Sequence, residues 1–363
     1  MDPITALRQV LANDGLDAAF ISSSENWRYF SGFTGSHAYL VITADRQILV
    51  TDPRYTEQAT AQAAGWQVIT HGLDPLPALQ QALQASGARR VGYETHKLSD
   101  HEIRSLRAAL PEIDWQPAAD HGKRLRAVKS PAEQAAIHTA VEIADRALAD
   151  LLPLLRPGVT EREVAVELEY RLARNGSEGP SFGTIVAAGE RGALPHAAPS
   201  ERTLNLGDMV VVDFGAVYRG YHSDITRTLW VGEPALRLRE IFAIVEEAQQ
   251  AAIAAIRPGA TGGEVDEAHR TIFRRCGVEE FALRGLGHGV GLEIHEQPRV
   301  VMGSDEQLEI GMVFTVEPGL YLPGTGGVRT EDIVCVTPAG CEVWTRSPHL
   351  LRIPAASAAE GRK

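Results

Sequence analysis

The chain has 363 residues, 44% of them apolar and 23% charged, a make-up that suits a globular protein with room for two cores. Thirty-five basic residues against 47 acidic ones leave a net charge of −12, which argues against nucleic acid or an anionic membrane as partner. The opening MDPITALRQVLANDGLD lacks a signal-peptide pattern, no stretch is apolar for long enough to cross a bilayer, and Cys276, Cys335 and Cys341 form no paired motif. The expected location is therefore the cytoplasm.

From the start to about residue 124, helical and strand patterns alternate, as in a small α/β domain. Ile4, Leu7, Val10 and Leu11 give one helical face that ends at Gly15. Strand-like runs lie at Ala18–Ser22, Ala38–Thr43, Gln47–Thr51 and Gln67–Thr70, with helical segments around 54–64, 75–86 and 99–109. A second domain, expected over 125–354, opens where Ser130, Pro131 and Glu133 supply an N-cap, an N1 proline and an N3 acid. The basic run Lys123, Arg124, Arg126 and Lys129 just before it reads as a solvated hinge. The small, polar stretch 355–363 is expected to fray.

The second domain repeats itself. RPGVTEREVAVELEYRLARNG (156–176) lines up with RPGATGGEVDEAHRTIFRRCG (257–277), and each copy is followed by histidines and a strand, LGDMVVVDFG in one and IGMVFTVEPG in the other. Aligning Gly207 with Gly311 sets Asp213 opposite Glu317; each copy then turns back and adds a further acid, Asp224 and Glu331. Two copies are too few for a solenoid, so a pseudo-two-fold domain with one central site is expected. Tyr218-Arg219-Gly220 and the Gly/Pro-rich loop 322–327 are the turns that should bring each acid pair together.

Four carboxylates in one pocket repel one another unless cations neutralise them. With His288 in GLGHGVG they form an oxygen-rich set suited to two adjacent divalent ions of the harder kind. Such ions acidify a shared water and polarise a carbonyl, which points to amide hydrolysis. His196 and His295 are then natural donors to a tetrahedral oxyanion.

At these residues the chain resembles the pita-bread (M24-type) metallopeptidase family, in particular its Xaa-Pro peptidases, aminopeptidase P and prolidase. The matching segments are YFSGFTGSHAYLVI with TDPRY, SFGTIVAAGERGALPH, VVVDFGAVYRGYHSDITRT, GHGVGLEIHEQPR and TVEPGLYLPGTGGVRTED. The resemblance implies an α/β N-terminal domain and an α+β pita-bread catalytic domain, joined as a homodimer acting on short proline-containing peptides. It also implies two divalent ions, manganese first and cobalt or zinc next. Asp213 would chelate one ion, His288 and Glu317 the other, and Asp224 and Glu331 would bridge both. Glu317 would in addition shuttle a proton to the proline nitrogen, with His196 and His295 steadying the carbonyl. Tyr321 and Arg329 would line the substrate pocket, and Arg299 would contact substrate.

Two activities share this chemistry and differ in how the pocket ends. The short N-terminal domain resembles the small bacterial aminopeptidase P type, which puts release of an N-terminal residue ahead of Xaa-Pro dipeptide cleavage. Arg284 argues the other way: relatives carry a histidine there, and a guanidinium could grip a substrate carboxylate, or else turn outward. Phe182, Leu194, Tyr221 and Leu292 are candidates for an apolar wall around proline. A non-catalytic binding relative, or a creatine-type amidinohydrolase, is disfavoured because all five ligands are present. His37, His71, His96, His101, His121, His138, His269 and His349 show no pairing pattern.

Overall fold

The computed structural model describes residues 2–118 and 120–355, so the expected fraying beyond 355 lies outside the described residues. The chain divides into two compact units, Met1–Arg126 and Ala127–Lys363.

The first unit runs α1 (Pro3–Asp14), β1 (Ala18–Ile21), α2 (Ser24–Ser31), β2 (Tyr39–Thr43), β3 (Gln47–Thr51), α3 (Thr56–Gln62), β4 (Gln67–Thr70), α4 (Leu76–Ser86), β5 (Arg90–Glu94), α5 (Asp100–Ala109), β6 (Asp114–Ala118) and α6 (His121–Leu125). Helix α1 starts where Asp2 accepts from the Thr5 amide and stops at Gly15, whose φ of 63° gives the left-handed cap expected there. The six strands form one mixed sheet in the order β4-β3-β2-β1-β5-β6. Strand alternation sorts the core onto two faces. Phe20, Val41, Ile48 and Val50 pack with Leu79, Leu83, Ile103 and Leu106 of α4 and α5. Ile21, Leu40, Ile42 and Leu49 pack with Leu7, Leu11, Trp27 and Phe30 of α1 and α2. Each such fully buried side chain contributes about 2 kcal/mol.

Four elements of this unit escaped the sequence reading: α2, β5, β6 and α6. Strand β5 carries an arginine, a glycine and a glutamate in five residues, and β6 contains Pro117, so neither shows a clean two-residue period. His37 and His71, expected to be unpaired, meet through their Nε2 atoms at 3.1 Å. The supposed solvated hinge is also corrected. Arg126 and Lys129 are both buried. Arg126 Nη1 donates to Asn26 Oδ1, and Lys129 Nζ donates to the buried Glu296 Oε2 at 3.1 Å.

The second unit continues with α7 (Pro131–Leu151), α8 (Glu161–Arg174), β7 (Ile185–Ala188), β8 (Met209–Phe214), β9 (Val217–Tyr218), β10 (Tyr221–His222), β11 (Ile225–Val231), α9 (Leu236–Ala255) and α10 (Gly262–Arg275). It ends with β12 (Gly287–Gly289), β13 (Glu296–Val300), β14 (Val313–Val316), β15 (Gly319–Leu322), β16 (Gly326–Arg329), β17 (Asp332–Thr337), β18 (Gly340–Val343) and β19 (Leu351–Ile353). The repeat is visible in three dimensions. Helices α8 and α10 each open with a full capping box, Thr160 with Glu163 and Thr261 with Glu264. Each is followed by an antiparallel ladder, β8 with β11 and β14 with β17. These ladders lie in a sheet ordered β19-β11-β8-β7 and another ordered β13-β12-β14-β17-β18. Helices α7 and α8 close over the first with Ile137, Val141, Leu148 and Leu168; α9 and α10 pack Phe242, Val245 and Phe273 near Trp230 and Leu320. Among the described residues no helix is long and apolar enough to cross a membrane.

Candidate metal centre

Each acid reaches the centre because a ladder puts it there. Asp213 lies in β8 directly across from Thr226 of β11. The turn at Arg219 and Gly220, with φ of 49° and 70°, joins β9 to β10 and returns the chain so that Asp224 leads into β11. In the second half, Val316 pairs with Asp332, which leaves Glu317 and Glu331 facing each other just past the ladder's end. Hairpin β15–β16, turning through 323–325, makes that return. His288 comes from β12, which is squeezed between β13 and β14. Only glycine fits on either side of it: a Cβ on Gly287 would stand 1.9 Å from the Thr315 carbonyl oxygen, and one on Gly289 2.0 Å from that of Gln297.

All five groups predicted from the sequence as ligands meet. Carboxylate oxygens of Asp213, Asp224 and Glu331 lie within 4.8 Å of one another. His288 Nε2 is 3.6 Å from Asp224 Oδ2 and 3.4 Å from Glu317 Oε1. Its Nδ1 lies 3.0 Å from the Gly289 carbonyl oxygen, which fixes the proton on Nδ1 and turns the Nε2 lone pair toward the acids. Burial holds the His288 ring down to about 4, so it is neutral at pH 7.

The acids are crowded at a cost. Burial, then the charges of Glu331, Asp213 and Glu317, pushes Asp224 well above the usual carboxylate range. Burial, then Glu317 and Asp213, does the same to Glu331. Glu317 is raised to about 7, again by burial first, with Arg329 opposing and Asp213 adding to it. Asp213 Oδ1 and Glu331 Oε1 are buried with no hydrogen-bond partner among the described residues. Orphaned carboxylate oxygens beside a neutral imidazole are what a pair of hard divalent cations would satisfy, so the residues fit the ions that the sequence implies.

A second layer, which the sequence reading missed, holds these groups. Thr226 Oγ1 donates to Glu331 Oε2 at 2.7 Å, and Thr315 Oγ1 donates to Glu317 Oε1 at 3.2 Å while accepting from the His288 amide. The fully buried Arg227 donates to the Glu331 carbonyl and to Asp332 Oδ1, and Asp332 Oδ2 accepts from Gln249 and contacts His349. His349, expected to have no partner, is raised to about 9 by Asp332 and Glu246. Apart from threonines two residues from Asp224 and from Glu317, no sequence signal marks this layer.

The cluster floors a cleft of about 480 Å³. His196 and His295 stand on its wall, both exposed, and the His295 ring lies 4.3 Å from that of His288. Arg329 also lines the cleft, but its guanidinium is committed: it donates to Asp213 Oδ2, to Thr226 Oγ1 and to the hydroxyl of the buried Tyr321. Arg299 is exposed on β13 directly across from His288. Arg284 is exposed on a bend before β12 and is not among the residues lining the cleft. Of the four apolar candidates only Phe182 lines it; Leu194 is half exposed, Tyr221 donates to Glu133, and Leu292 is buried and not part of the lining. Ile185 and Ile294 supply apolar wall that was not anticipated.

Comparison with known proteins agrees with this geometry. Residues 135–338 match Metallopeptidase family M24, and residues 3–128 match the Creatinase/Prolidase N-terminal domain. An Xaa-Pro dipeptidase from Pyrococcus furiosus is 36% identical, over 94% of this chain and 97% of that protein. The solved structure of an Xaa-Pro dipeptidase from Bacillus anthracis superposes with a TM-score of 0.94 at 40% identity, covering 96% of this chain and 98% of that one. An X-Pro aminopeptidase from Thermotoga maritima superposes with a TM-score of 0.88 at 37% identity, covering 93% and 98%. The chain belongs to metallopeptidase family M24, a family of dinuclear metal-dependent enzymes, and within it to the Xaa-Pro peptidases.

Proposed function

We propose that this enzyme is an Xaa-Pro dipeptidase that uses two divalent ions, manganese in the first place, held by Asp213, Asp224, His288, Glu317 and Glu331. The observation that carries the metal chemistry is the pair of buried, unpartnered oxygens on Asp213 and Glu331 beside the cleft. The dipeptide preference rests on the relatives: dipeptidases from Bacillus anthracis and Pyrococcus furiosus match over nearly the full chain. That reverses the order drawn from the sequence, where aminopeptidase P came first. Aminopeptidase action stays as the second reading because the Thermotoga maritima enzyme is 37% identical.

The bound ions would supply Lewis acidity and an acidified water. The protein's own residues would do the rest. Glu317 would take the proton of the attacking water on the oxygen that Thr315 does not engage, then give it to the departing proline nitrogen. His196 and His295, from the cleft wall, would donate to the carbonyl oxygen as it gains charge. Phe182, Ile185 and Ile294 would bury the pyrrolidine ring, which has no N–H to satisfy. Arg299, exposed on β13 directly across from His288, would meet a substrate carboxylate, since the Arg329 guanidinium is held by Asp213. A homodimer in the cytoplasm completes the reading.

Steady-state hydrolysis of Ala-Pro against Ala-Pro-Ala by manganese-loaded enzyme tests it, with Ala-Ala-Ala as control. Preference for Ala-Pro supports the dipeptidase; preference for the tripeptide would move the enzyme to the aminopeptidases. No turnover with manganese, cobalt or zinc would end the proposal. Sedimentation of the loaded enzyme tests the dimer.

A further inference from the structure

We infer that Glu161 is a positioning residue: a buried carboxylate that clamps both ends of segment 188–200 and so fixes where His196 stands over the acid cluster. Glu161 is fully buried at the first turn of α8. Its Oε1 accepts from the Ala188 amide at 2.8 Å, where β7 ends. Its Oε2 accepts from the Ser200 amide at 3.0 Å and the Ser200 hydroxyl at 2.6 Å. Arg191 Nε spans both oxygens at 3.2 and 3.0 Å, and Arg191 Nη2 reaches the Ala198 carbonyl at 2.7 Å. One charge therefore ties the start, the middle and the end of the loop that presents His196. At the tip, Pro195 O accepts from Arg329 Nη1 at 3.4 Å, which joins the loop to the group already bonded to Asp213.

The fold does not need an acid at this place. Helix α8 is already capped by Thr160 and Glu163, and the positive end of its dipole only adds to the neutralisation from Arg191. The second half shows how the same helix start manages without one. There the residue after the N-cap Thr261 is Gly262, whose added Cβ would lie 2.4 Å from the Arg299 carbonyl oxygen, so backbone packs directly on the helix. A buried carboxylate with this many donors is costly to disturb, which makes it a stiff anchor. Catalytic hydrogen-bond donors gain most from being held still in advance of the reaction.

The inference rests on the role proposed above for His196. The test compares wild type, Glu161→Gln, His196→Ala and the double variant, all manganese-loaded, with Ala-Pro as substrate, and adds metal content and amide exchange. Glu161→Gln should lower kcat about 10- to 100-fold with little change in KM, as expected for a donor displaced by an ångström. Metal content should stay full, the Ala188 and Ser200 amides should exchange faster, and the double variant should be no slower than His196→Ala alone. If Glu161→Gln does not fold, Arg191→Met, which keeps the carboxylate and its backbone donors, must show the same pattern at smaller size. An unchanged kcat in an active Glu161→Gln, or losses that multiply in the double variant, would overturn the inference alone. A wild type that cleaves no Xaa-Pro peptide would instead sink the functional reading, and this inference with it.

Discussion

In the first half of the catalytic domain Thr160 caps α8, and the β8–β11 ladder sets Asp213 across from Thr226; in the second, Thr261 caps α10, and β14–β17, ending at Val316 and Asp332, leaves Glu317 and Glu331 facing each other. The framework is the same, but equivalent positions carry different groups. Thr226 stands where the other half has Glu331, and the two bond to each other. Arg227, opposite Val212, stands where the other half has Asp332, opposite Val316, and these two form a fully buried ion pair. Counting back along the chain from Thr226 and Glu331, Asp224 falls where the other half has Arg329 of β16, so the further acid that each copy adds, Asp224 or Glu331, does not sit at the same register. A duplicated frame thus brings matched positions face to face, and divergence has made the facing pairs complementary: acid with hydroxyl, cation with anion.

The largest way to break this comparison is at the acids themselves. Asp224→Asn should reduce activity about a thousandfold or more, in line with the several kcal/mol a metal contributes to a hydrolytic transition state. In metal-free protein the same change should raise the melting temperature, because one crowded buried carboxylate is gone. Kinetics and a melt in chelator check the two signs; a variant destabilised in chelator would contradict the crowding. Next comes the ion pair between the halves. Arg227→Met leaves Asp332 buried without its main cation, a loss of about 3–5 kcal/mol that denaturant melts would read.

A smaller effect sharpens the comparison through pH. Glu317 is raised from 4.5 to about 7 without metal, so folded protein binds protons that unfolded chain has lost in that interval. This group costs nothing below about pH 4.5, and its full cost is reached above about pH 7. Metal-free protein should therefore lose stability as pH rises through that window, with Asp224 and Glu331 extending the fall upward. Melts in chelator should slope down with pH, and saturating manganese should abolish or reverse the slope. The smallest effect is at the caps. Thr160→Ala and Thr261→Ala should each cost about 1 kcal/mol, and near-equal values would show that the halves still share their helix starts.

Much of this was legible in the sequence, for identifiable reasons. Helix starts at Ser99 and Ser130 are written in spacings of three residues, and the turn at 219–220 by its glycine, so local chemistry sufficed. The five ligand candidates could be named because acids beside strands and glycines are poor core residues, and their recurrence in two copies removed the ordinary explanation. What could not be read are partners brought together only by the tertiary fold. Nothing near Lys129 in the chain announces Glu296, and nothing near His349 announces Asp332 or Glu246. Arg329 resembled a substrate contact by its neighbours, yet its guanidinium is bonded to Asp213 across the domain. Arg284 is the converse case: its place before the metal histidine suggested either a substrate contact or an outward turn, and it is exposed on the bend before β12.

The five groups proposed to hold the ions come from both halves, two from the first and three from the second, and neither half holds a complete set. A chain in which only one half has folded would therefore lack the full set, whatever secondary structure that half keeps. The architecture thus makes the chemistry conditional on both halves at once: neither ladder alone can assemble the cluster.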